Sequence, residues 1–309
     1  MDKTDLNIMR MLLVNGRATY QSIGNEMKLS SNAVKSRVMR MIDDRVISRF
    51  VSNMKLEAFG YDLIYAIISH GSEQKQTIMD KVKLVGDIFM AIDCVGDLTV
   101  LGIAVRGELE QKMELVKRIV EPAIVINLFP IPAIPVKRLT RTDLMLIRHL
   151  IKYPRASIHD IARSIMVSVR TVKRRLDFMT ELDIVHFSLL CNPAAMRGFI
   201  QFSLLLDIEE KKYKDVVSKI YRQLGDHFLL PPPPLYQKNM IVVILYSDNV
   251  YSMDEMFNTV KNIDGVKNVE LSIPTKLDFR LDWFVKVIDK ILKKKKEAII
   301  RQEDYIIAR

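Results

Sequence analysis

The chain has 309 residues, enough for two or three domains that each bury a core. Its formal net charge is +10, with 49% hydrophobic and 27% charged residues. That mix excludes a disordered or membrane-dominated chain and favours an anionic partner.

No uncharged apolar run of about 18 residues occurs, so no transmembrane helix is expected. The start MDKTDLNIMRM is too acidic for a secretion signal. Cys94 and Cys191 match no metal spacing. The expectation is a cytoplasmic protein with no membrane partner, no metal and no cofactor.

In chain order, Asp5 is placed to cap a first helix whose apolar positions are Leu6, Met9, Leu12 and Leu13. Asn15-Gly16 ends it, and a second helix runs from about Tyr20 to Met27. Ser30 then caps a third helix, SSNAVKSRVMRMIDD. Val34, Val38, Met41 and Ile42 form its inner stripe. Asn32, Lys35, Ser36 and Arg40 face outward. The pattern then turns to strands at Val46–Val51 (a strand or wing) and Tyr61–Ser69. A polar helix near Glu73–Leu84 leads to Gly86-Asp87-Ile88-Phe89, which opens the next strand. A central strand at Leu98–Val105, a helix over Glu108–Val120 and a strand at Ile124–Phe129 follow. Pro130, Pro132 and Pro135 stiffen a connection, with a boundary before Lys137.

The pattern then begins again. Residues 4–47 align without a gap on 142–185, pairing Asp5 with Asp143, Arg17 with Arg155, Ser30 with Ser168, Lys35 with Lys173 and Arg37 with Arg175. The second copy's third helix reads SVRTVKRRLDFMTEL, with Val172, Leu176 and Met179 inward and Arg170, Lys173 and Arg174 outward. Strands and helices recur in the earlier order: Ile184–Leu190, Phe199–Asp207, Glu209–Leu224, the Gly225-Asp226-His227-Phe228 segment matching Gly86-Asp87-Ile88-Phe89, Met240–Tyr246, Tyr251–Ile263 and Val269–Ile273. In each copy the order is βαββαβ, the ferredoxin-like plan. The fold class is therefore α+β, two tandem winged helix-turn-helix plus ferredoxin-like modules with a C-terminal basic helix. The expected domains are 1–50 and 137–190 (winged helices), 51–136 and 191–275 (ferredoxin-like), and 276–309, where Trp283, Phe284, Val287, Ile288 and Ile291 recur at helical spacing before Lys293–Lys296.

A basic third helix of this kind can enter a major groove, its first residues reaching base edges and its flanks reaching phosphates. The candidate contacts with double-stranded DNA are Ser30, Asn32, Lys35, Ser36, Arg37 and Arg40 in the first copy. In the second they are Ser168, Arg170, Lys173, Arg174 and Arg175. The Lys-x-Arg pair retained in both copies supports that use. So does the charge: residues 2–47 carry +3 and 137–185 carry +6, while the two intervening regions are weakly negative.

A winged helix-turn-helix followed by βαββαβ resembles the Lrp/AsnC (feast/famine) family of prokaryotic transcription regulators. The resemblance starts at DKTDLNIMRMLLVNGRATYQSIG and includes the Cys94-Val95-Gly96-Asp97-Leu98 turn. It covers residues 2 to about 275, although two modules in one chain depart from the family's single-module habit. It implies a small-molecule effector such as an amino acid at Gly96, Asp97 and Thr99. The second copy has LLPPPPLYQKNM at the corresponding place, so one effector site per chain is expected. It also implies that the sheets pair, here within one chain as a pseudo-dimer; further self-association stays open. Siroheme decarboxylases resemble the same scaffold and are the alternative. His70, His186 and His227 do not gather with arginines in sequence as a tetrapyrrole site would need, and no catalytic residue is assigned.

Overall fold

The computed structural model describes residues 1–134, 139–231 and 239–293. The module boundary at Pro135–Lys137, Pro232–Pro234 of the proline run, and the lysines after Lys293 lie outside the described residues.

Each module opens with three helices. In the first these are α1 (Lys3–Val14), α2 (Tyr20–Met27) and α3 (Ser31–Asp43). The sequence assigned the cap of α1 to Asp5. The cap is Asp2, and Asp5 is its partner one turn on: each side chain accepts the other's backbone N–H. Lys28 ends α2 in the left-handed region, and Ser30 caps α3 by accepting from the Ala33 N–H. A strand, β1 (Ile47–Met54), leads into β2 (Asp62–Ser69), α4 (Lys75–Val82), β3 (Asp87–Cys94), β4 (Leu98–Val105), α5 (Leu109–Ile119) and β5 (Ile124–Ile131).

The second module repeats this with α6 (Arg141–Lys152), α7 (Ile158–Ile165), α8 (Val169–Glu181) and β6 (Val185–Cys191). Its α/β part is β7 (Ile200–Ile208), α9 (Tyr213–Leu224), β8 (Phe228–Leu230), β9 (Met240–Ser247), α10 (Val250–Lys261) and β10 (Val266–Ser272). Both sheets are antiparallel, ordered β3-β4-β2-β5 and β10-β7-β9-β8, the ferredoxin-like order expected.

Side-chain alternation decides which face each sheet gives to its helices. Ile64, Ala66 and Ile68 of β2 share a core with Ile78 of α4 and Val116 of α5. Phe202, Leu204 and Leu206 of β7 share one with Val216 of α9 and Met256 of α10. Each such buried Val, Leu, Ile, Met or Phe side chain contributes roughly 1.5–3 kcal/mol.

The two modules interlock. The wing strands β1 and β6 pair with each other as an antiparallel ribbon. The core of the first helix-turn-helix includes Leu189, Cys191, Leu229 and Tyr246 of the second module. The core of the second includes Met54, Leu63 and Phe89 of the first. A further strand, β11 (Pro274–Phe279), leaves the second module and extends the first module's sheet by pairing with β3. The sequence boundary at 275 therefore falls inside a strand that crosses between modules. The apolar stripe after it is helical over residues 282–293, and Phe284 and Ile288 are buried against Tyr61 and the second helix-turn-helix core. That segment is a docked helix.

Candidate nucleic-acid interface

α3 and α8 are fixed from inside. Val34, Val38 and Met41, and their counterparts Val172, Leu176 and Met179, are buried. Helical spacing then leaves Asn32, Lys35 and Ser36 exposed on α3, and Arg170, Lys173 and Arg174 exposed on α8. Among the described residues, Lys35, Arg170, Lys173 and Arg174 have no carboxylate partner. Ser30 and Ser168 sit at the helix starts as caps, each accepting a backbone N–H three residues on at 3.1 Å. Their oxygens are used by the helix, while neighbouring backbone N–H groups of the first turn stay available to an anion.

The arginine of the Lys-x-Arg pair has another task. Arg37 Nη1 donates to Asp2 and to Asp5, both at 2.7 Å, and Arg40 Nη2 reaches Asp5 at 3.0 Å. Asp5 is only 2% exposed. In the second module Arg175 grips Asp143 with two bonds, Nε to Oδ1 at 2.5 Å and Nη2 to Oδ2, and lies over the Phe178 ring. Asp143 is fully buried. Its burial opposes ionisation. The hydrogen bonds from Arg175 and Thr140, with the Arg175 charge, outweigh it and hold the carboxyl below the usual carboxylate range. The same bonds raise Arg175 above the usual arginine value. The retained pair that suggested phosphate contact is thus half structural: Arg37 and Arg175 pin the third helix to the first. Arg40 shares its guanidinium with Asp5 but remains half exposed.

The expected effector residues are brought to one end of the first sheet. Gly96 and Asp97 are exposed and occupy the left-handed region in the β3–β4 turn, which Gly96 adopts freely. Thr99 is 2% exposed, and its hydroxyl lies 2.8 Å from His70 Nε2. Asp93 pairs with Lys75 at the start of α4, and the Asp97 carbonyl accepts the His70 N–H. Burial, then the nearby Lys75 charge, lowers the His70 pKa and favours neutral imidazole. Sequence reading left His70, Lys75 and Asp93 unassigned. Their spacing gives no signal, and only the strand order puts them beside Thr99. Among the described residues no cluster of His, Cys, Asp and Glu could hold a metal, and no helix is long and apolar enough to cross a membrane.

A winged helix-turn-helix DNA-binding family model matches residues 1–48 and again 139–186. The chain is 23% identical over 128 residues to the transcriptional regulator Ptr1 of Methanocaldococcus jannaschii, 41% of this chain and 86% of that protein. It is 41% identical over 56 residues to the regulator LysM of Sulfurisphaera tokodaii, 18% of this chain and 40% of that one. Among solved structures, the siroheme decarboxylase NirDL superposes with a TM-score of 0.53 at 11% identity, covering 96% of this chain and 99% of its own. At that identity the likeness is one of fold.

Proposed function

We propose, from the premise that the chain is of the Lrp/AsnC type with two modules in tandem, that it binds duplex DNA sequence-specifically as a transcription regulator. The observation that carries this reading is the pair of N-terminal helix faces on α3 and α8. Each is held by a buried Asp–Arg clamp, and among the described residues Lys35 on α3 and Arg170, Lys173 and Arg174 on α8 are cations that no carboxylate neutralises. Arg170 and Arg174 suit guanine edges and Asn32 suits adenine. The two half-sites therefore differ in sequence. A small molecule such as an amino acid binds at Gly96, Asp97 and Thr99, with His70 beside it, once per chain. Selection from random duplexes, followed by affinity measured across a salt series, tests the DNA reading. No preference among duplexes contradicts it, and recovery of perfect palindromes contradicts the unequal half-sites and the pairing of the two modules within one chain. Calorimetry against an amino-acid panel tests the effector, and two equivalent sites per chain contradict it.

The decarboxylase reading draws on the NirDL-like fold over nearly the whole chain. A tetrapyrrole bearing several carboxylates needs cations around it. Among the described residues, no Lys, Arg or His lines the cavity between the two sheets. That donor set favours the regulator. A shift in the absorption spectrum of added siroheme, with loss of a carboxyl group, would favour the enzyme instead.

A further inference from the structure

The sheet faces that carry no helices turn toward each other, and between them lies a cavity of about 290 Å³. Its position follows from alternation. Ile64 and Ala66 of β2 serve the helix-side core, so Tyr65 and Ile67 line the cavity. Phe202 and Leu204 of β7 do likewise, so Gln201, Ser203 and Leu205 line it from the other side. Among the described residues, no charged side chain of either sign contributes to the lining.

The walls are unlike. The first module's sheet offers mostly hydrocarbon, including Ile67, Ile92 and Val100. The second module's sheet offers uncharged hydrogen-bonding groups. Ser203 and Ser272 are register partners on β7 and β10, and Gln201 stands two residues along the same face. Gln201 is 7% exposed. Its side-chain oxygen accepts only the Cys191 thiol, at 3.4 Å, and its amide nitrogen has no partner among the described residues.

We propose that this cavity binds a neutral small molecule with an apolar body and one uncharged hydrogen-bonding end, such as a ketone, alcohol or amide. Its volume suits about ten to fifteen non-hydrogen atoms, scaled from a cavity of roughly 150 Å³ that holds benzene. The apolar body lies on the first sheet and the polar end meets Gln201. Desolvation excludes ions, because no group in the lining compensates a buried charge. Leu13 at the end of α1, Val51 of β1 and Leu190 of β6 also line the cavity. The occupant therefore touches the ribbon that carries both helix-turn-helix units. This site is separate from the Gly96–Thr99 turn and does not rest on the DNA reading.

The test titrates the full chain with a neutral polarity-sensitive probe that fits the volume, 4-(dimethylamino)benzonitrile, and reads its emission. Saturable binding of one probe per chain with blue-shifted emission is expected. Val242→Trp on one wall and Ile67→Trp on the other fill the space, and each should weaken the probe by about tenfold or more. Gln201→Leu should weaken it by up to about tenfold through the lost hydrogen bond. Melting curves identify which variants remain folded, and either wall variant suffices. Non-saturable binding to the unaltered chain overturns the proposal. So does undiminished binding in a folded wall variant, or equal affinity for the anionic 8-anilinonaphthalene-1-sulfonate.

Discussion

Arg17 and Arg155, equivalent residues of the two repeats, reach across to each other's modules. Arg17 donates to the Pro154 and Ala156 carbonyls at 2.8 and 2.7 Å, and Arg155 donates to the Ala18 carbonyl at 3.1 Å. Arg17 lies over the Phe187 ring and Arg155 over the Phe50 ring. Burial, then the Arg155 charge, lowers the Arg17 pKa, although it remains an arginine and stays protonated. The exchange is reciprocal, as in a two-fold dimer, yet it occurs within one chain.

Removing either arginine should loosen the packing between modules. Arg17→Ala loses two hydrogen bonds from a charged group to backbone carbonyls, each worth roughly 1.5–3 kcal/mol. Arg155→Ala should cost less, since one of its buried nitrogens, Nη1, has no hydrogen-bond partner. The double variant should cost more than the two single costs together, because each single change also relieves the repulsion between the two like charges, whereas the double change relieves it only once. Urea unfolding of the three variants measures this, and strictly additive costs would contradict the coupling.

The clamp and the groove-facing cations should separate cleanly. Arg175→Ala leaves the buried Asp143 charge without its partner and should lower stability by about 3 kcal/mol. The double change Lys173→Ala with Arg174→Ala should leave the melting temperature nearly unchanged. It should reduce the slope of log affinity against log salt by about 0.9 for each phosphate that is no longer neutralised. If the double variant melts early and binds DNA unchanged, the assignment of α8 to DNA is wrong.

Asp143 also makes a pH prediction. Its folded pKa is depressed, so the unfolded chain binds its proton more readily. The stabilisation is therefore fully present above the unfolded value of about 3.9 and is lost as pH falls through the lower folded value. Asp143→Asn should be less stable at neutral pH and should lose less on acidification below about pH 4. Denaturant titrations at several pH values check the difference between the two curves. Parallel curves would remove Asp143 from the acid response.

Gly16 marks where α1 meets the other module's wing. Its N–H donates to the Phe187 carbonyl at 2.9 Å, and a Cβ there would lie 2.6 Å from the Ser188 carbonyl oxygen. Backbone cannot yield as a side-chain tip does. Gly16→Ala should therefore cost about 1–3 kcal/mol by overpacking. Proteolysis near the β1–β6 ribbon should also become faster. A variant as stable and as resistant as the parent would show that the close approach is not required.

The sequence by itself determined the local structure and the repetition. Ser30 and Ser168 as caps, the buried stripe from Val34 to Met41, and the strand at Leu98–Val105 were all legible, because caps and side-chain periods depend on near neighbours. It also determined that cations concentrate on the helix-turn-helix units. Only the tertiary structure decided which of those cations are free. Asp5 and Arg37 lie 32 residues apart in the chain, as do Asp143 and Arg175, and nothing local distinguishes a clamped arginine from an exposed one. The pairing of β1 with β6, the crossing of β11 to the first sheet, the gathering of His70 with Thr99 and the cavity between the sheets were likewise decided by assembly. The His70–Thr99 contact follows from strand order; the others depend on apolar surfaces, and an apolar stripe specifies that it will be covered without specifying by what, since the hydrophobic effect has no direction.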